Sequence, residues 1–580
     1  MIQQSILRCI LSLTATLAGF AIFTPAPRTA HAEDSYPHAV VAADHVAASE
    51  AGLEMLKRGG NVVDAAVATG FALSVVRPAS SGIGGGGFMV IWDAKRQRAV
   101  ALDYRERAPA RATRTMYVNP RDPKKVVPDA SEHGGLAIAV PGHVAGLCFA
   151  LREYGTLDLK TVLAPAIRMC RDGVPVDRHD LYIQKDVAKD FANHADYGER
   201  FAALQRLYVN GGKLWAKDDR FFSPLQKVLE RIAAQGPDGF YKGEVAEAIV
   251  AETQRCGGLL TLDDLASMKP VVREPLRDEL GEHIIFTMPP PSSGGVALIE
   301  TLHLLSAATV RHPQAGLQKS AADSPLYLHV LAEAFKHSFA DRAAWLGDAD
   351  FVKVPVARLI SRDYSERLAL RLELNTTQPP EAYGRFTTPD DGGTSHFSIL
   401  DTEGNAVACT ETVNTHFGSF VVEPKFGVVF NNEMDDFTSL PGTRNAFGLI
   451  QSEANSIEPG KRPLSSMTPT IVVRQGKAEF VVGASGGPRI ITATTQVLLN
   501  MMRFGQPPSA AVDAPRIHHQ WSPDLLEIEK TALPAAELEK LGHKLRTRTD
   551  SAIVQAASRT ADGHVQGASD RRKGGRAVGY

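Results

Sequence analysis

The stretch TTPDDGGTSHFSILD, residues 387–401, changes character at its centre. Its first half is polar and ends in Gly392 and Gly393, whereas the residues after Thr394 are patterned as a strand. The longer segment 375–393 is rich in Pro and Gly and lacks the periodicity of a helix or a strand, which predicts a mobile connector. Thr394 therefore stands at the boundary between a connector and a sheet.

The residues after this boundary predict a β-hairpin. TSHFSIL and AVACTET have strand character, and the loop DTEGN between them supplies the turn. In a regular antiparallel hairpin Leu400 faces Ala406, and counting outward brings Thr394 opposite Thr412. Asn414 lies two residues further along the same face. Two facing threonines are usually only a cross-strand pair, so this register needs a second observation before it suggests chemistry.

The glycines before Thr394 supply that observation. Glycine permits the strained backbone that lets a hydroxyl attack the carbonyl group just before it. If Thr394 attacked the Gly393 carbonyl, the peptide would become an ester, and water would release Thr394 as a new N-terminus. A free α-amine has an ordinary pKa of roughly 7.7–8.0, so it can deprotonate the neighbouring hydroxyl. The sequence thus predicts a nucleophile that carries its own base.

Composition and charge limit the partners of this chain. The 580 residues are 44% hydrophobic and 22% charged, as in ordinary globular proteins. The chain has 63 Lys and Arg residues and 65 Asp and Glu residues, so its formal net charge is -2. This charge creates no overall positive potential that would attract nucleic acid. A neutral or small zwitterionic ligand is the expected partner.

The N-terminus predicts export. Residues 1–32 contain an apolar run followed by small residues at Ala30 and Ala32, the pattern of a secretory cleavage site, so the mature chain is expected to begin at Glu33. An uncleaved membrane anchor is the alternative, although the apolar run is short for a spanning helix. The favoured interpretation is a secreted protein, in the periplasm, with no stable membrane insertion after the signal peptide is removed.

The first half of the mature chain predicts two helices between Val46 and Val76, then a glycine-rich turn and a hairpin. Gly82, Gly84 and Gly87 match the spacing of a dinucleotide-binding loop, but that loop follows a strand and opens a helix, which is the reverse of the order here. These glycines are expected to permit close backbone approach. The middle, from about Pro141 to Leu374, is mostly helical in pattern.

Several blocks in order make the resemblance specific. The blocks that carry the resemblance are GGNVVDAAVA, DYRERAP and AVPGHVAGL in the first half, followed by DGGTSHFSILD, NNEMDDF, GKRPLSSMTPT, GASGGPRIIT and SDRRKGGRAVGY. Over nearly the whole mature chain, the sequence resembles the γ-glutamyltranspeptidase family of N-terminal-nucleophile hydrolases. The resemblance implies an α+β protein with a four-layer αββα sandwich. It also implies a precursor that cuts itself between Gly393 and Thr394 into a large subunit, 33–393, and a small subunit, 394–580, which remain together as a heterodimer.

The resemblance also assigns roles within the site. Thr394 would be the nucleophile, Thr412 its supporting hydroxyl, and Gly486 and Gly487 the backbone donors to the oxyanion. The γ-glutamyl group of glutathione or a related compound would pass to Thr394 and then to water or to an amino acid or dipeptide acceptor. No metal and no organic cofactor are implied. Two sets of side chains would bind the glutamyl zwitterion: Arg105, Ser465 and Ser466 its α-carboxylate, and Asn414, Glu433 and Asp436 its α-ammonium.

Two positions differ among members of the resembled family. Glu433 stands where members carry Glu or Gln, so the charge of the ammonium subsite is not fixed by the resemblance. PGTRNAFGL, residues 441–449, is similar to a lid loop that some members possess, with Phe447 where several have Tyr. A lid that excludes water from the acyl-enzyme favours amine acceptors and hence transpeptidation.

Three other functions remain open at this point. GASGG matches the serine hydrolase pattern G-x-S-x-G with Ser485 as nucleophile, and His518, His519 and His543 are candidate bases. A cephalosporin or glutaryl acylase of the same fold is the second alternative, although a glutaryl group has no ammonium for Asp436 to bind. A secreted binding protein for glutamyl compounds, with an intact chain, is the third.

Overall fold

The predicted hairpin forms the centre of the fold. In the computed structural model its strands are Ser395–Asp401 and Ala406–Thr412, which pair antiparallel without a register shift. Leu400 lies opposite Ala406, so the predicted register is confirmed. The Asp401 carboxylate closes the loop, because it accepts hydrogen bonds from the backbone N–H groups of Gly404 and Asn405, each at 2.8 Å.

The structure describes residues 34–217, 219–383, 394–440, 452–529, 533–549 and 552–580. Three predictions fall outside these residues: the signal peptide 1–32, Gly393 on the upstream side of the expected cut, and the lid loop 441–449 with Phe447. Among the helices of the described ranges, none combines the length and apolar character required to cross a membrane.

The hairpin lies in the first of two seven-stranded antiparallel sheets that the described residues form. The strand order of this first sheet is Arg576–Gly579, Ala39–Ala43, Ser395–Asp401, Ala406–Thr412, Gly86–Asp93, Arg98–Asp103 and Val271–Arg273. The order of the second sheet is Ser35–Tyr36, Val565–Ser569, Ile553–Arg559, Lys477–Ser485, Thr470–Arg474, His283–Thr287 and Leu276–Leu280. Smaller sheets pair Ile517–His518, Leu526–Glu529 and Leu545–Arg548, Val118–Asn119 with Asp122–Val126, and Val174–Pro175 with Arg220–Phe221.

Alternation along the strands explains how the layers stack. In the first sheet the row of Val40, Leu400 and Trp92 joins a core cluster with residues of the second sheet, and the Trp92 ring stacks on Phe286 at 5.2 Å between centroids. The adjacent residues point to the opposite face, where Ile399 belongs to a core cluster with the first helices. Since successive side chains point to opposite faces, each sheet contacts the other sheet on one side and helices on its other side.

Helices cover both outer faces, so the predicted four-layer αββα sandwich is confirmed. The first sheet packs on helices from the first half of the chain. The second sheet packs on Gly294–Arg311 and Arg489–Met502, and Pro325–Trp345 packs on Gly294–Arg311. The remaining helices of eight or more residues are Val46–Lys57, Val62–Val76, His143–Tyr154, Leu159–Asp172, Arg178–Asn193, Gln226–Gln235, Gly243–Arg255 and Arg362–Ala369. Shorter ones are Tyr197–Arg200, Ala202–Tyr208, Asp238–Tyr241, Leu262–Ala266, Val356–Leu359, Pro508–Asp513 and Ala535–Lys540.

The two helices predicted between Val46 and Val76 are present, and the Asn61 side chain caps the second by accepting from the backbone of Val63 at 2.8 Å. The middle region is less uniform than its pattern predicts, because three strands between Val271 and Thr287 belong to the sheets. The described part of the connector, 375–383, also differs from the mobile segment expected. Its backbone and side chains form hydrogen bonds to buried residues of the sandwich.

Candidate active site

Thr394 and Thr412 face each other at the open end of the hairpin. Their Oγ1 atoms are 3.2 Å apart. The backbone N–H of Asn414 donates to Thr412 Oγ1 at 2.7 Å, and the Asn414 side chain donates to the Asn432 carbonyl at 3.1 Å. Asn414 has a positive φ of 79°, a conformation that asparagine tolerates better than most residues. The hydroxyl pair predicted from the register is therefore present.

The glycine-rich turn packs on the backbone of Thr412, next to the hydroxyl pair. A β-carbon on Gly85 would lie 2.0 Å from the Thr412 carbonyl oxygen, and one on Gly84 would lie 2.0 Å from the Val429 carbonyl oxygen. No side chain larger than hydrogen fits at either position without moving the backbone. The predicted role of this turn as a close backbone contact is confirmed.

A buried lysine holds the first residue of the hairpin. Lys573 donates from Nζ to the Thr394 carbonyl at 2.7 Å and to Asp44 Oδ2 at 2.7 Å. Burial lowers the pKa of Lys573, and the Asp44 charge opposes that shift. Sequence reasoning missed this contact, because Asp44, Thr394 and Lys573 are distant in the chain and only the block SDRRKGG drew attention to the C-terminus. The contact fixes the backbone from which the nucleophile projects.

Gly486 and Gly487 lie between the strand Lys477–Ser485 and the helix Arg489–Met502. Their φ angles are 125° and 54°, in the region that only glycine adopts without strain. Backbone N–H groups at the N-terminal end of a helix favour negative charge, which suits an oxyanion. Gly487 lines a narrow cavity with Thr394, and Gly486 lines a larger neighbouring cavity that also reaches Thr394.

The narrow cavity brings together most of the residues predicted for the site. Its wall is formed by Arg105, Thr394, Thr412, Asn414, Asp436, Ser465, Ser466, Met467, Gly487, Pro488 and Ile490. Glu433 is fully buried and contacts Arg105 instead of lining this cavity. Residues from five separated segments therefore surround the nucleophile.

Charges of opposite sign meet at one end of the cavity. Arg105 NH1 lies 2.8 Å from Glu433 Oε2, and Arg105 NH2 donates to Asp436. Glu106 is also close, with Oε2 3.9 Å from Arg105 NH1. The guanidinium predicted for the α-carboxylate thus pairs with the carboxylates predicted for the α-ammonium. The cavity wall therefore presents the Arg105 guanidinium and the Asp436 carboxyl group together, within reach of a small zwitterion.

Burial controls the protonation of this cluster. Burial raises the pKa of Glu433 and of Asp436, and the Arg105 charge opposes both shifts. Burial raises the pKa of Glu106 to about 8, again against the Arg105 charge. Burial alone would lower the pKa of Arg105, but Glu433 and Asp436 raise it overall, so this group stays charged.

The two serines belong to a second polar group of the cavity. Ser465 Oγ accepts from the backbone N–H of Met467 at 3.2 Å, and Ser466 Oγ accepts from Arg342 NH2 at 3.4 Å. Arg342 also donates from Nε to Ser293 Oγ at 2.9 Å. Burial lowers the pKa of Arg342 to about 10, and the Asp436 charge opposes that shift. No motif in the sequence points to this second guanidinium, because Arg342 lies within the helix Pro325–Trp345.

The serine hydrolase alternative has the expected strand, turn and helix around Ser485, but the three candidate histidines form their hydrogen bonds with other residues. His518 bonds Thr492 and Gln520, and His543 bonds His329 at 2.8 Å. His519 accepts from the backbone N–H of Trp521 at 3.0 Å and lies 3.6 Å from Asp524. None of these hydrogen bonds runs to Ser485. Within the described part of the chain, none of the three candidate histidines is therefore placed as a base for Ser485.

Comparison with known proteins finds relatives over nearly the whole chain. The Gamma-glutamyltranspeptidase family profile matches residues 48–580. The chain is 39% identical over 588 residues to a glutathione hydrolase proenzyme of Escherichia coli strain K12, covering 99% of this chain and 98% of that protein.

Two solved structures share the fold. Cephalosporin acylase from Bacillus halodurans has a TM-score of 0.80 at 26% identity, covering 95% of this chain and 97% of the acylase chain. Helicobacter pylori gamma-glutamyltranspeptidase has a TM-score of 0.52 at 37% identity, covering 58% of this chain and 92% of that chain. The profile match over most of the sequence, together with the 39% identity to the Escherichia coli proenzyme, shows that the chain belongs to the gamma-glutamyltranspeptidase family.

Proposed function

We propose that this protein is a self-processing γ-glutamyl acyltransferase and hydrolase with Thr394 as nucleophile. The observation that carries the proposal is the Thr394–Thr412 hydroxyl pair beside a cavity that presents Arg105 and Asp436 together. A hydroxyl nucleophile supplies acyl-transfer chemistry, and the paired charges supply recognition of a zwitterion. Membership of the family, shared with glutathione hydrolase proenzymes, supports glutathione as a donor.

The reaction proceeds through an acyl-enzyme. After cleavage, the α-amine of Thr394 removes the proton from its own Oγ1, which attacks the γ-carbonyl carbon of the donor. Gly486 and Gly487 stabilise the oxyanion, a contribution of roughly 3–4 kcal/mol per donor in other enzymes. The C–N bond breaks, the leaving amine takes the proton, and the γ-glutamyl group remains on Thr394 as an ester. Water or an amine acceptor then attacks the ester and regenerates the hydroxyl.

Charge matching explains how a γ-amide is selected. The donor α-carboxylate approaches Arg105 with Ser465 and Ser466, while its α-ammonium approaches Asp436 and Asn414, with Glu433 behind Arg105. A zwitterion can replace the ion pair between Arg105 and Asp436 without leaving either buried charge unpaired, and an unpaired buried charge is costly. A ligand with only a carboxylate would leave the acidic side without a partner.

The acylase alternative is weaker for this reason. A glutaryl group carries no ammonium, so Asp436 would face a methylene chain. The high TM-score of the acylase neighbour supports only the shared fold, because its identity to this chain is 26%. We further propose that residues 1–32 direct export to the periplasm and that segments 33–393 and 394–580 remain together as a heterodimer after cleavage.

Matched anilides test the proposed function. We expect release of nitroaniline from γ-glutamyl-p-nitroanilide and little from glutaryl-p-nitroanilide, measured on the same preparation. Faster glutaryl turnover would favour the acylase. Saturable glutathione binding with an intact chain and no turnover of either anilide would favour the binding protein.

A further inference from the structure

The segment upstream of the expected cut is held by a buried ion pair. Glu333 and Lys336 lie one turn apart on the helix Pro325–Trp345, their side chains are fully buried, and Lys336 Nζ is 3.2 Å from Glu333 Oε1. Burying two charges in a helix costs free energy unless further hydrogen bonds compensate. Those further hydrogen bonds come mainly from one short segment, residues 377–383.

Glu333 accepts from three donors of this segment. Thr377 Oγ1 donates to Glu333 Oε1 at 2.6 Å, the Tyr383 hydroxyl donates to Oε2, and the backbone N–H of Gln378 is 3.4 Å from Oε2. Lys336 contacts the same stretch, because its Nζ donates to Thr377 Oγ1 and to the Gln378 carbonyl at 3.0 Å. Both members of the ion pair therefore direct their hydrogen bonds to the connector.

The other half of the chain holds the same segment. Trp521 Nε1 donates to the Pro380 carbonyl at 2.8 Å, and the backbone N–H of Thr377 donates to the Leu541 carbonyl at 2.7 Å. The Tyr383 ring also packs edge-on against His337, with centroids 4.6 Å apart. Trp521 and Leu541 lie downstream of Thr394, whereas Glu333 and Lys336 lie upstream. Residues 377–383 are thus bound by both prospective subunits.

We propose that these contacts form a processing anchor, defined as Thr377 and Tyr383 with Glu333, Lys336 and Trp521, which positions the chain for self-cleavage. Tyr383 precedes Thr394 by only eleven positions. Tyr383 is held at Glu333 and the Thr394 carbonyl is held by Lys573, so the described residues on both sides of the expected cut are fixed in position. Restricting a reacting group to fewer orientations raises the rate of an intramolecular attack.

The anchor acts on maturation and not on the mature reaction. This inference rests on the proposed function, because it requires that Thr394 cleaves its own chain. None of the anchor residues lines the narrow cavity that contains Thr394. Substitutions in the anchor should therefore slow cleavage of the precursor, while material that has been cleaved should bind and turn over γ-glutamyl donors normally.

Two conservative variants test the anchor. Tyr383→Phe removes one hydroxyl from Glu333, and Thr377→Val removes the hydroxyl shared by Glu333 and Lys336. Tyr364→Phe is the matched control, since the Tyr364 hydroxyl donates at 2.6 Å to Asp341, a carboxylate on the same helix, but lies outside the connector. Freshly synthesised precursor is followed on denaturing gels, and kcat and KM are measured on the cleaved fraction.

We expect the cleavage rate to fall by about ten-fold in Tyr383→Phe and in Thr377→Val, with wild-type kcat and KM after cleavage and a wild-type rate in Tyr364→Phe. Thermal unfolding of each variant in the Thr394→Ala background checks that the precursor folds. Equal slowing in Tyr364→Phe, or loss of kcat in the cleaved fraction, would overturn the anchor. If both variants cleave at the wild-type rate, the anchor is overturned but self-processing by Thr394 is not. If the wild-type protein itself never cleaves, both the anchor and the self-processing step are overturned.

Discussion

The nucleophile hairpin and the charged end of the cavity differ in the charge of their residues and in how far apart those residues lie in the chain. Thr394 and Thr412 are neutral, lie on two adjacent strands, and are brought together by a register that one short loop determines. Arg105, Glu433 and Asp436 are charged, buried and drawn from distant parts of the chain. The first region provides reactivity and the second provides selection. Substitutions should therefore separate self-cleavage and catalysis from donor binding.

Loss of the nucleophile should have the largest effect, because one hydroxyl performs both reactions of the hairpin. Thr394→Ala should remain a single folded chain, with activity reduced about 10³-fold or more. Thr394→Ser retains a hydroxyl and should still cleave, more slowly than wild type. Denaturing gels and anilide turnover measure both results. Cleavage of Thr394→Ala after Gly393 would show that another protease performs the maturation.

Loss of a charged partner should affect selection without affecting cleavage. Arg105→Lys keeps the charge but loses the planar fork that fits a carboxylate, so kcat/KM for γ-glutamyl donors should fall about 100-fold through KM. Asp436→Ala should weaken γ-glutamyl donors and leave a glutaryl analogue almost unchanged. Steady-state kinetics on both anilides checks this pair. Equal losses of activity on the two substrates would indicate misfolding, and the result would not support a contact between Asp436 and the α-ammonium.

The partner hydroxyl should matter less than the nucleophile itself. Thr412→Ala removes one hydrogen bond to Thr394 and should reduce kcat about ten-fold while the nucleophile remains present. Thr412→Ser keeps the hydroxyl and serves as the control. The two variants are compared by single-turnover acylation. Equal acylation rates in Thr412→Ala and wild type would show that the Thr394–Thr412 contact is an ordinary cross-strand pair.

The smallest effect concerns pH and the charged region. Because burial raises the pKa of Glu106 to about 8 from an ordinary value near 4.5, the folded state binds more protons than the unfolded state between these values. The contribution of Glu106 to stability should therefore decline across this window as pH rises. Glu106→Gln lacks this titration, so its Tm relative to wild type should increase from pH 5 to pH 8. Glu50→Gln, at an exposed helix position, is the control.

The same contrast explains what the sequence could predict. The Thr394–Thr412 pair follows from counting residues across one hairpin, and the capped helix after Asn61 follows from a local signal. Arg105, Glu433 and Asp436 were identified by resemblance alone, since no periodicity relates residues on separate segments. Lys573 and Arg342 were missed for the same reason. The anchored connector was predicted as mobile because its order comes from a buried ion pair on a distant helix, which Pro and Gly content does not reveal.

N-terminal sequencing and intact mass of the purified wild-type protein, expressed without added protease, would show whether the chain cuts itself between Gly393 and Thr394. Self-cleavage at the hairpin predicts a fragment that begins Thr394-Ser395-His396 and ends at Tyr580, together with an upstream fragment that ends at Gly393. Activity should appear in proportion to these fragments. An intact chain that hydrolyses γ-glutamyl anilides at its full rate would contradict the account.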